Sequence, residues 1–334
     1  MPWSAYAAGA VVAAIAALAA RYSVQHNRVE RSWLREVEPR LASIGEVDQV
    51  TILPLVERLV SSDSLMGEPG VSYLIRAGTT TLLFDSGLNL KGQPRSTLLQ
   101  NADVLKADLQ HLDGVVISHL HADHVGGLRS QRRHTFSLAA EPVEPKGVSA
   151  YVPTAMTHQR ADVMLTTAPR VIAPGIAVLP PLPKMMFWLG PVAEQALVIN
   201  VRGFGLVLVS GCGHPGIERM LAVAERVLDV PIKAVVGGLH LPVHAIGTPL
   251  MMQATLGNPN YPWRPINERD AASAIDEITR RGPRLVALSG HDSTPWTYEA
   301  FGRAFGDRYH TLRVGQQLVI QAAGATLKPA TADH

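Results

Sequence analysis

Apolar and polar positions follow different patterns before and after residue 50. Beyond that point, short apolar runs alternate with stretches of helical spacing, which is typical of an α/β fold. Two apolar runs, 71–77 and 79–84, are separated by Gly78 and predict a hairpin. Further strands are predicted at 114–117, 147–152, 175–179, 196–201, 206–209, 232–236 and 285–288, and helices at 96–112, 216–228, 267–281 and 295–305. The sequence shows no internal repeat or clear linker, so we expect one domain over 50–325 and a tail over 326–334.

The N-terminal pattern is a single uncharged run, residues 5–20, in which ten of sixteen positions are Ala. Alanine is the best helix former, so this run predicts a helix. Four arginines follow between residues 21 and 35. By the positive-inside rule they indicate a membrane-anchor helix over 1–21, with the rest of the chain on the cytoplasmic side. Two alternatives stay open, a helix packed on the body or a cleaved signal peptide. Residues 22–49 are expected to be a connecting helix or linker.

Composition narrows the classes of function. The chain has 334 residues, of which 47% are hydrophobic and 17% charged, so it can bury a substantial core and is not disordered. Lys and Arg (30) nearly balance Asp and Glu (28), so the net charge of +2 argues against nucleic acid as a partner. Thirteen histidines stand against one cysteine, Cys212. This imbalance excludes disulfides and multi-cysteine metal clusters within the chain, and a metal would be held mainly by imidazole and carboxylate groups.

The main chemical signal is a histidine cluster directly after the predicted strand 114–117. Four potential ligands lie within six residues: His119, His121, Asp123 and His124. In an extended chain His119 and His121 project to the same side, as a shared metal requires. Asp123 and His124 follow at the turn, where they can bind a second ion or orient a water molecule. Such a set suits one or two Zn²⁺ ions, with Fe or Mn as alternatives.

Ligands from distant parts of the chain are also needed. His214 lies among glycines at a strand-to-helix turn, and His291 follows the predicted strand 285–288. His240 is a candidate ligand, a support for a ligand or a substrate contact. Cys212 is either a soft bridging ligand or a small buried hydrophobe.

The motif HxHxDH at 119–124, followed by GGL, resembles the signature of the metallo-β-lactamase superfamily, as does LFDSG at 83–87. The order of elements over roughly 50–320 resembles it too. The resemblance implies an αββα sandwich, here preceded by a hydrophobic N-terminal helix, with the metal site at the strand ends between the sheets. It implies that His119 and His121 hold a first metal, Asp123 and His124 a second, and that His291 is the last ligand. Asp85 is expected to anchor the ligand loop by hydrogen bonds.

Three further segments resemble one subgroup, the enzymes related to dihydropterin-methyl-ribofuranosylaminobenzene phosphate synthase. They are EQAL at 194–197, GCGHPGI at 211–217 and GGLHL at 237–241. Two departures limit this likeness. The bridging Asp of most binuclear members is missing from the turn that holds Cys212, and His291 is followed by Asp292-Ser293-Thr294 rather than Cys-Thr-Gly. The pterin chemistry of the subgroup is therefore not expected here.

The predicted function is a metal-dependent hydrolase that uses a metal-bound hydroxide on an ester, lactone or phosphodiester. Asp123 is the expected catalytic group, orienting that hydroxide or moving its proton. Two proline-rich stretches, 169–191 and 241–267, carry Met and aromatic side chains. They indicate a small-molecule substrate that is apolar or lipid-like, or else they cover the edge of the sandwich. Three alternatives stay open: a group-transfer or synthase enzyme on the same metals, an iron-dependent oxygenase, and a membrane-tethered, non-catalytic metal-binding protein.

Overall fold

The computed structural model describes residues 3–33, 39–140 and 146–330. Parts of the predicted anchor, connector and tail (1–2, 34–38 and 331–334) lie outside the described residues. The strands, in chain order, are β1 (Gln49–Val56), β2 (Ser72–Ala77), β3 (Thr80–Phe84), β4 (Gly114–Val116), β5 (Ser149–Val152), β6 (Asp162–Leu165), β7 (Arg170–Ala173), β8 (Ile176–Val178), β9 (Leu182–Met186), β10 (Gly190–Glu194), β11 (Leu197–Val201), β12 (Gly205–Ser210), β13 (Ile232–Gly237), β14 (Leu285–Leu288), β15 (Tyr309–Thr311), β16 (Gln316–Gln321) and β17 (Gly324–Pro329). The helices are α1 (Trp3–Trp33), α2 (Thr97–Val104), α3 (Leu128–Arg132), α4 (Ile217–Val227), α5 (Met251–Leu256), α6 (Glu268–Thr279) and α7 (Pro295–Phe305).

Two mixed sheets face each other at the centre of the molecule. The first has the strand order β17-β16-β1-β2-β3-β4-β5-β6, and the second β15-β14-β13-β12-β11-β8-β7. Strands β9 and β10 form a separate ribbon. Side chains from both sheets, such as Ile52, Phe84, Ile199 and Val236, form one buried cluster between them.

Helices cover both outer faces. The buried faces of α4, α6 and α7 join the apolar cluster on the second sheet, while Leu98 and Ala102 of α2 join the cluster on the first. The layers therefore run helix, sheet, sheet, helix, and the predicted αββα sandwich is confirmed.

Local chemistry explains where several elements begin and end. The predicted hairpin forms with β2 antiparallel to β3, and Gly78 adopts φ 61° at its turn. Helix α6 begins at a capping box between Asn267 and Asp270. Helix α2 is shorter than predicted because Lys106, just beyond its C-cap, adopts φ 53° and turns the chain out of the helix. Thr294 precedes α7 but does not cap it, since its hydroxyl donates to the carbonyl of Val243.

The N-terminal helix requires a correction. Across the described segments, no helix combines the length and the apolar character needed to cross a bilayer. The predicted localisation, a membrane anchor over 1–21 with the domain on the cytoplasmic face of a membrane, is therefore wrong. Helix α1 continues to Trp33.

The second half of α1 packs on the body of the protein. Tyr22 is 3% exposed, and its ring lies 5.3 Å from that of Phe187 and 4.8 Å from that of Tyr261. About two helical turns further along α1, Glu30 forms ion pairs with Arg219 and with Lys184, the latter at 3.5 Å. The part of α1 that comes after the apolar run 5–20 thus makes aromatic and polar contacts with the body of the protein.

The sheet topology brings the predicted site residues to one edge. β3 and β4 are parallel neighbours in the first sheet, and β12, β13 and β14 are parallel neighbours in the second. The carboxyl ends of parallel strands meet at the same edge of their sheet. The two edges lie together, because Cys212 Sγ after β12 is 3.1 Å from His124 Nε2 after β4, so the segments after all five strands converge.

Candidate metal centre

Five strand ends supply the side chains of the site. Asp85 follows β3, the segment 118–124 follows β4, Cys212 and His214 follow β12, His240 follows β13, and His291 follows β14. Close approach of the two sheets is needed here, because a Cβ on Gly211 would lie 2.2 Å from Ser118 Oγ. The glycine at that position lets the loop after β12 reach the loop after β4.

One group of candidate ligands consists of His119, His121 and His214. One ligand atom from each lies within 4.8 Å of the others. The rings of His119 and His121 meet edge to face with centroids 4.6 Å apart, and His214 Nε2 lies 3.2 Å from His121 Nδ1. Three imidazole nitrogens converging on one point is a common arrangement at catalytic zinc sites.

A second group contains Asp123, His124, Cys212 and His291, again within 4.8 Å. Cys212 Sγ lies 3.1 Å from His124 Nε2 and 3.1 Å from His291 Nε2. The Asp123 side chain is 22% exposed whereas that of His124 is fully buried. The Asp123 carboxylate is therefore close to the buried ligands of the second group and is also accessible to solvent.

His240 joins Cys212 and His214 in a third, overlapping group. It adopts φ 49°, and its backbone N–H donates to Asp292 Oδ2 at 2.8 Å. A Cβ on Gly257 would lie 2.7 Å from His240 Cε1, so the ring packs directly on that glycine. The structure places His240 beside the first group, 4.7 Å from the ring of His214.

Two buried carboxylates fix the orientation of three histidine rings. Asp85 Oδ2 lies 2.7 Å from His124 Nδ1 and also accepts a hydrogen bond from Ser118 Oγ. Since that hydroxyl hydrogen is used, His119 Nδ1, 3.0 Å from Ser118 Oγ, must be the donor to it. The Nε2 atom of His119 is thereby left as a lone-pair donor, the form that binds a metal, and the Nε2 atom of His124 is turned toward Cys212 Sγ.

A carboxylate also orients the ring of His291 through a serine hydroxyl. Ser289 Oγ donates to Glu57 Oε1 at 2.5 Å, and His291 Nδ1 lies 2.5 Å from the same hydroxyl. Glu57 also accepts from Tyr73 and from the backbone of Gly290. Three of the candidate ligands are thus hydrogen-bonded to a carboxylate through Nδ1, His124 directly and His119 and His291 through a serine hydroxyl.

Sequence reasoning assigned no role at the site to Glu57, Ser289 or Glu194, although Glu194 begins the subgroup-like segment EQAL. Glu194 accepts the backbone N–H groups of Cys212, Gly213 and His214 at 2.8–2.9 Å and so holds the second ligand loop. Glu57 lies more than 200 residues from Ser289 in the chain. The available signal was a single acidic residue at the end of an apolar strand, which is difficult to interpret without the partner it contacts.

Burial and neighbouring charges set the protonation of the site. Burial lowers the pKa of His119 and His214 well below the ordinary value, and nearby histidines add to the effect. It also lowers the pKa of His121 to about 4 and that of His291 to about 3. Burial acts in the same direction on His124, but the carboxylates of Asp123 and Asp85 outweigh it and raise its pKa to about 9. Four of the rings are thus neutral at pH 7, as metal binding requires.

The residues present fit a bound cation. His119 Nε2 and His214 Nδ1 are buried and, within the described part of the chain, have no hydrogen-bond partner. Leaving such groups unpaired costs roughly 1–3 kcal/mol each. His119 Nε2 belongs to the cluster of imidazole nitrogens, and a metal ion coordinated there would satisfy it.

This chain is similar to known proteins in both sequence and structure. Residues 65–151, which include Asp85 and the histidine cluster, match the family model of the metallo-beta-lactamase superfamily. A solved metal-dependent hydrolase of the beta-lactamase superfamily superposes with a TM-score of 0.56 at 20% identity, covering 80% of this chain and 98% of that one. This is the metallo-β-lactamase fold. The resemblance in the sequence motifs is therefore confirmed.

Two other proteins are also similar to this chain. The chain is 25% identical over 242 residues to the 7,8-dihydropterin-6-methyl-4-(beta-D-ribofuranosyl)-aminobenzene-5'-phosphate synthase of Methanocaldococcus jannaschii, covering 60% of this chain and 81% of the relative. A metallo-β-lactamase fold protein of Bacillus subtilis superposes with a TM-score of 0.48 at 14% identity, covering 80% of this chain and 98% of that one. The match to the synthase agrees with the subgroup resemblance in the sequence motifs.

The metallo-β-lactamase fold implies binding of divalent metal ions, and this chain has side chains grouped to provide it. Members of the superfamily are usually enzymes. The structure brings together every predicted metal ligand, namely His119, His121, Asp123, His124, His214 and His291, along with Cys212 and His240. Asp85 lies behind them in contact with His124. Which of these residues bind metal stays a prediction.

Proposed function

We propose that this protein is a zinc-dependent hydrolase of a small ester, lactone or phosphodiester, with a two-ion centre. The observation that supports it is the pair of ligand groups that meet at one sheet edge with their rings oriented by Asp85 and Glu57. His119, His121 and His214 would hold one ion. Asp123, His124, Cys212 and His291 would hold the other. A thiol among nitrogen and carboxylate donors favours Zn²⁺ over harder ions such as Mn²⁺.

When bound, Zn²⁺ supplies a Lewis acid that makes water a nucleophile near neutral pH. The protein's own contribution is orientation. The contacts of Asp85 and Ser118 hold the rings of His124 and His119 in one orientation, and Glu194 fixes the backbone of the loop that carries Cys212 and His214. Asp123 is the group to orient the attacking water and accept its proton, because its carboxylate reaches the solvent side.

The test is turnover of a panel of esters, lactones and phosphodiesters in ¹⁸O-labelled water, with protein stripped of metal and reloaded with Zn²⁺. We expect hydrolysis that depends on the metal and places one ¹⁸O atom in the product carboxylate or phosphate. Metal-dependent conversion without the label would contradict hydrolysis and favour group transfer, the reaction class suggested by the synthase relative. Consumption of O₂ by iron-loaded protein would favour an oxygenase.

Cys212 is proposed as the bridging ligand, in the turn where most binuclear members have Asp. We expect Cys212→Ala to weaken the binding of both ions, and that of the second at least about 100-fold, since a donor bound directly to the ion contributes more than the 10–100-fold of a supporting contact. Metal titration followed by elemental analysis measures this. Cys212→Asp is the matched control, because a carboxylate can take over the bridging role.

The alternative, a small buried hydrophobe, predicts the reverse pattern. Alanine would then be tolerated with two ions still bound, while a buried aspartate would lower the thermal stability of the protein. That result would remove Cys212 from the ligand set.

A further inference from the structure

An apolar cleft opens beside the proposed metal centre. It has a volume of about 630 Å³ and includes His121 in its lining. Its apolar lining residues come from the histidine loop, from α3 and from the β9–β10 ribbon: Leu120, Leu128, Pro183, Leu189, Pro191 and Val192. The basic residues Arg132 and His134 line it as well. The cleft is thus continuous with a proposed metal ligand, and its size is typical of small-molecule sites.

Two leucines in this lining are unusually exposed. Leu128 is 57% exposed and Leu189 is 47% exposed. Leu128 is the first residue of α3, next to Gly127 with φ 110°, and Leu189 lies at the turn between β9 and β10. Two separate elements therefore present apolar side chains to the same space. Grouped exposure of this kind indicates a binding surface more than scattered exposed leucines do.

We infer that this cleft binds the apolar acyl or alkyl part of the substrate, while the group to be hydrolysed lies at the metal centre. The inference rests on the proposed function and narrows it to substrates with a hydrocarbon chain. A chain in the cleft would cover Leu128 and Leu189, and each buried methylene strengthens binding about fourfold. The adjoining histidines would meet the polar end of the same molecule.

The test uses linear alkylphosphonates of two, four, six and eight carbons, with affinity for zinc-loaded protein measured by calorimetry. We expect affinity to rise about fourfold per methylene until the cleft is filled. Leu128→Ser and Leu189→Ser should each lower the affinity for the longest phosphonate about tenfold and flatten the dependence on length. Val104→Ser is the control, because Val104 is 51% exposed and does not line the cleft.

Zinc content and unfolding temperature of each variant are measured alongside, so that loss of the metal or of the fold is not mistaken for loss of the cleft. Affinity that is independent of chain length, or no binding at any length, would overturn the inference even if the protein hydrolyses short substrates. Length-dependent binding without metal-dependent turnover on the substrate panel would support the cleft and overturn the proposed hydrolase.

Discussion

His119→Ala is expected to abolish metal-dependent turnover and to release at least one ion. His119 is fully buried, its Nδ1 contacts Ser118, and its Nε2 belongs to the cluster of imidazole nitrogens. Losing one of three ligands removes the activation of water, and we expect kcat/KM to fall by at least about 10³-fold. Elemental analysis and steady-state kinetics on the zinc-loaded variant measure both effects.

His111→Ala serves as the control for this variant. The His111 side chain is 86% exposed and pairs with Asp108, away from the proposed ligands. This substitution should change neither metal content nor kcat/KM. A His119→Ala protein that keeps two tightly bound ions would contradict the assignment of the first ligand group. Circular dichroism of both variants checks that the fold is retained.

Removal of the metal is expected to lower the thermal stability substantially. The proposed ligands lie on segments that follow β4, β12 and β14, so bound ions would connect both sheets. An ion at 1,000 times its Kd stabilises the folded state by about 4 kcal/mol, which corresponds to a Tm change of roughly 10 °C in a domain of this size. Differential scanning calorimetry with and without a chelator measures the change.

Readdition of Zn²⁺ should restore the original Tm, whereas Mg²⁺ should not, because imidazole and thiol donors bind it poorly. The His119→Ala variant should show a smaller response to the chelator. An identical Tm before and after complete removal of the metal would show that the side chains of the two groups do not hold ions that stabilise the fold.

The sequence predicted most of the core accurately because its signals are local. Apolar runs with turn residues at their ends identified β4, β12, β13 and β14, and helical spacing identified α4, α6 and α7. The predicted ends of the elements were less accurate where the backbone conformation of a single residue ends the element, as Lys106 does after α2. Short edge strands such as β6 and β7 were missed, because partly exposed runs of four residues carry little periodicity. The interior strands β1 and β16 of the first sheet were not predicted either.

The error at the N-terminus has a different cause. The hydropathy pattern reflects only the uncharged residues of α1. It contains no information about the later residues of the same helix, which have specific partners elsewhere in the protein. Tyr22 and Glu30 find those partners on the β9–β10 region, α4 and the loop around Tyr261, all far away in the chain. Docking of this kind depends on tertiary structure and leaves no periodic pattern in the helix itself.

By itself, the sequence determined the close grouping of His119, His121, Asp123 and His124, because six consecutive residues after a strand cannot separate. The αββα class was implied by the resemblance of its motifs to those of a known superfamily. Tertiary structure alone decided how the distant residues contribute. It places Cys212 3.1 Å from both His124 and His291, and Glu57 behind His291 through a hydroxyl. Contacts between residues 79 or more positions apart follow from the packing of two sheets, and a linear pattern does not encode them.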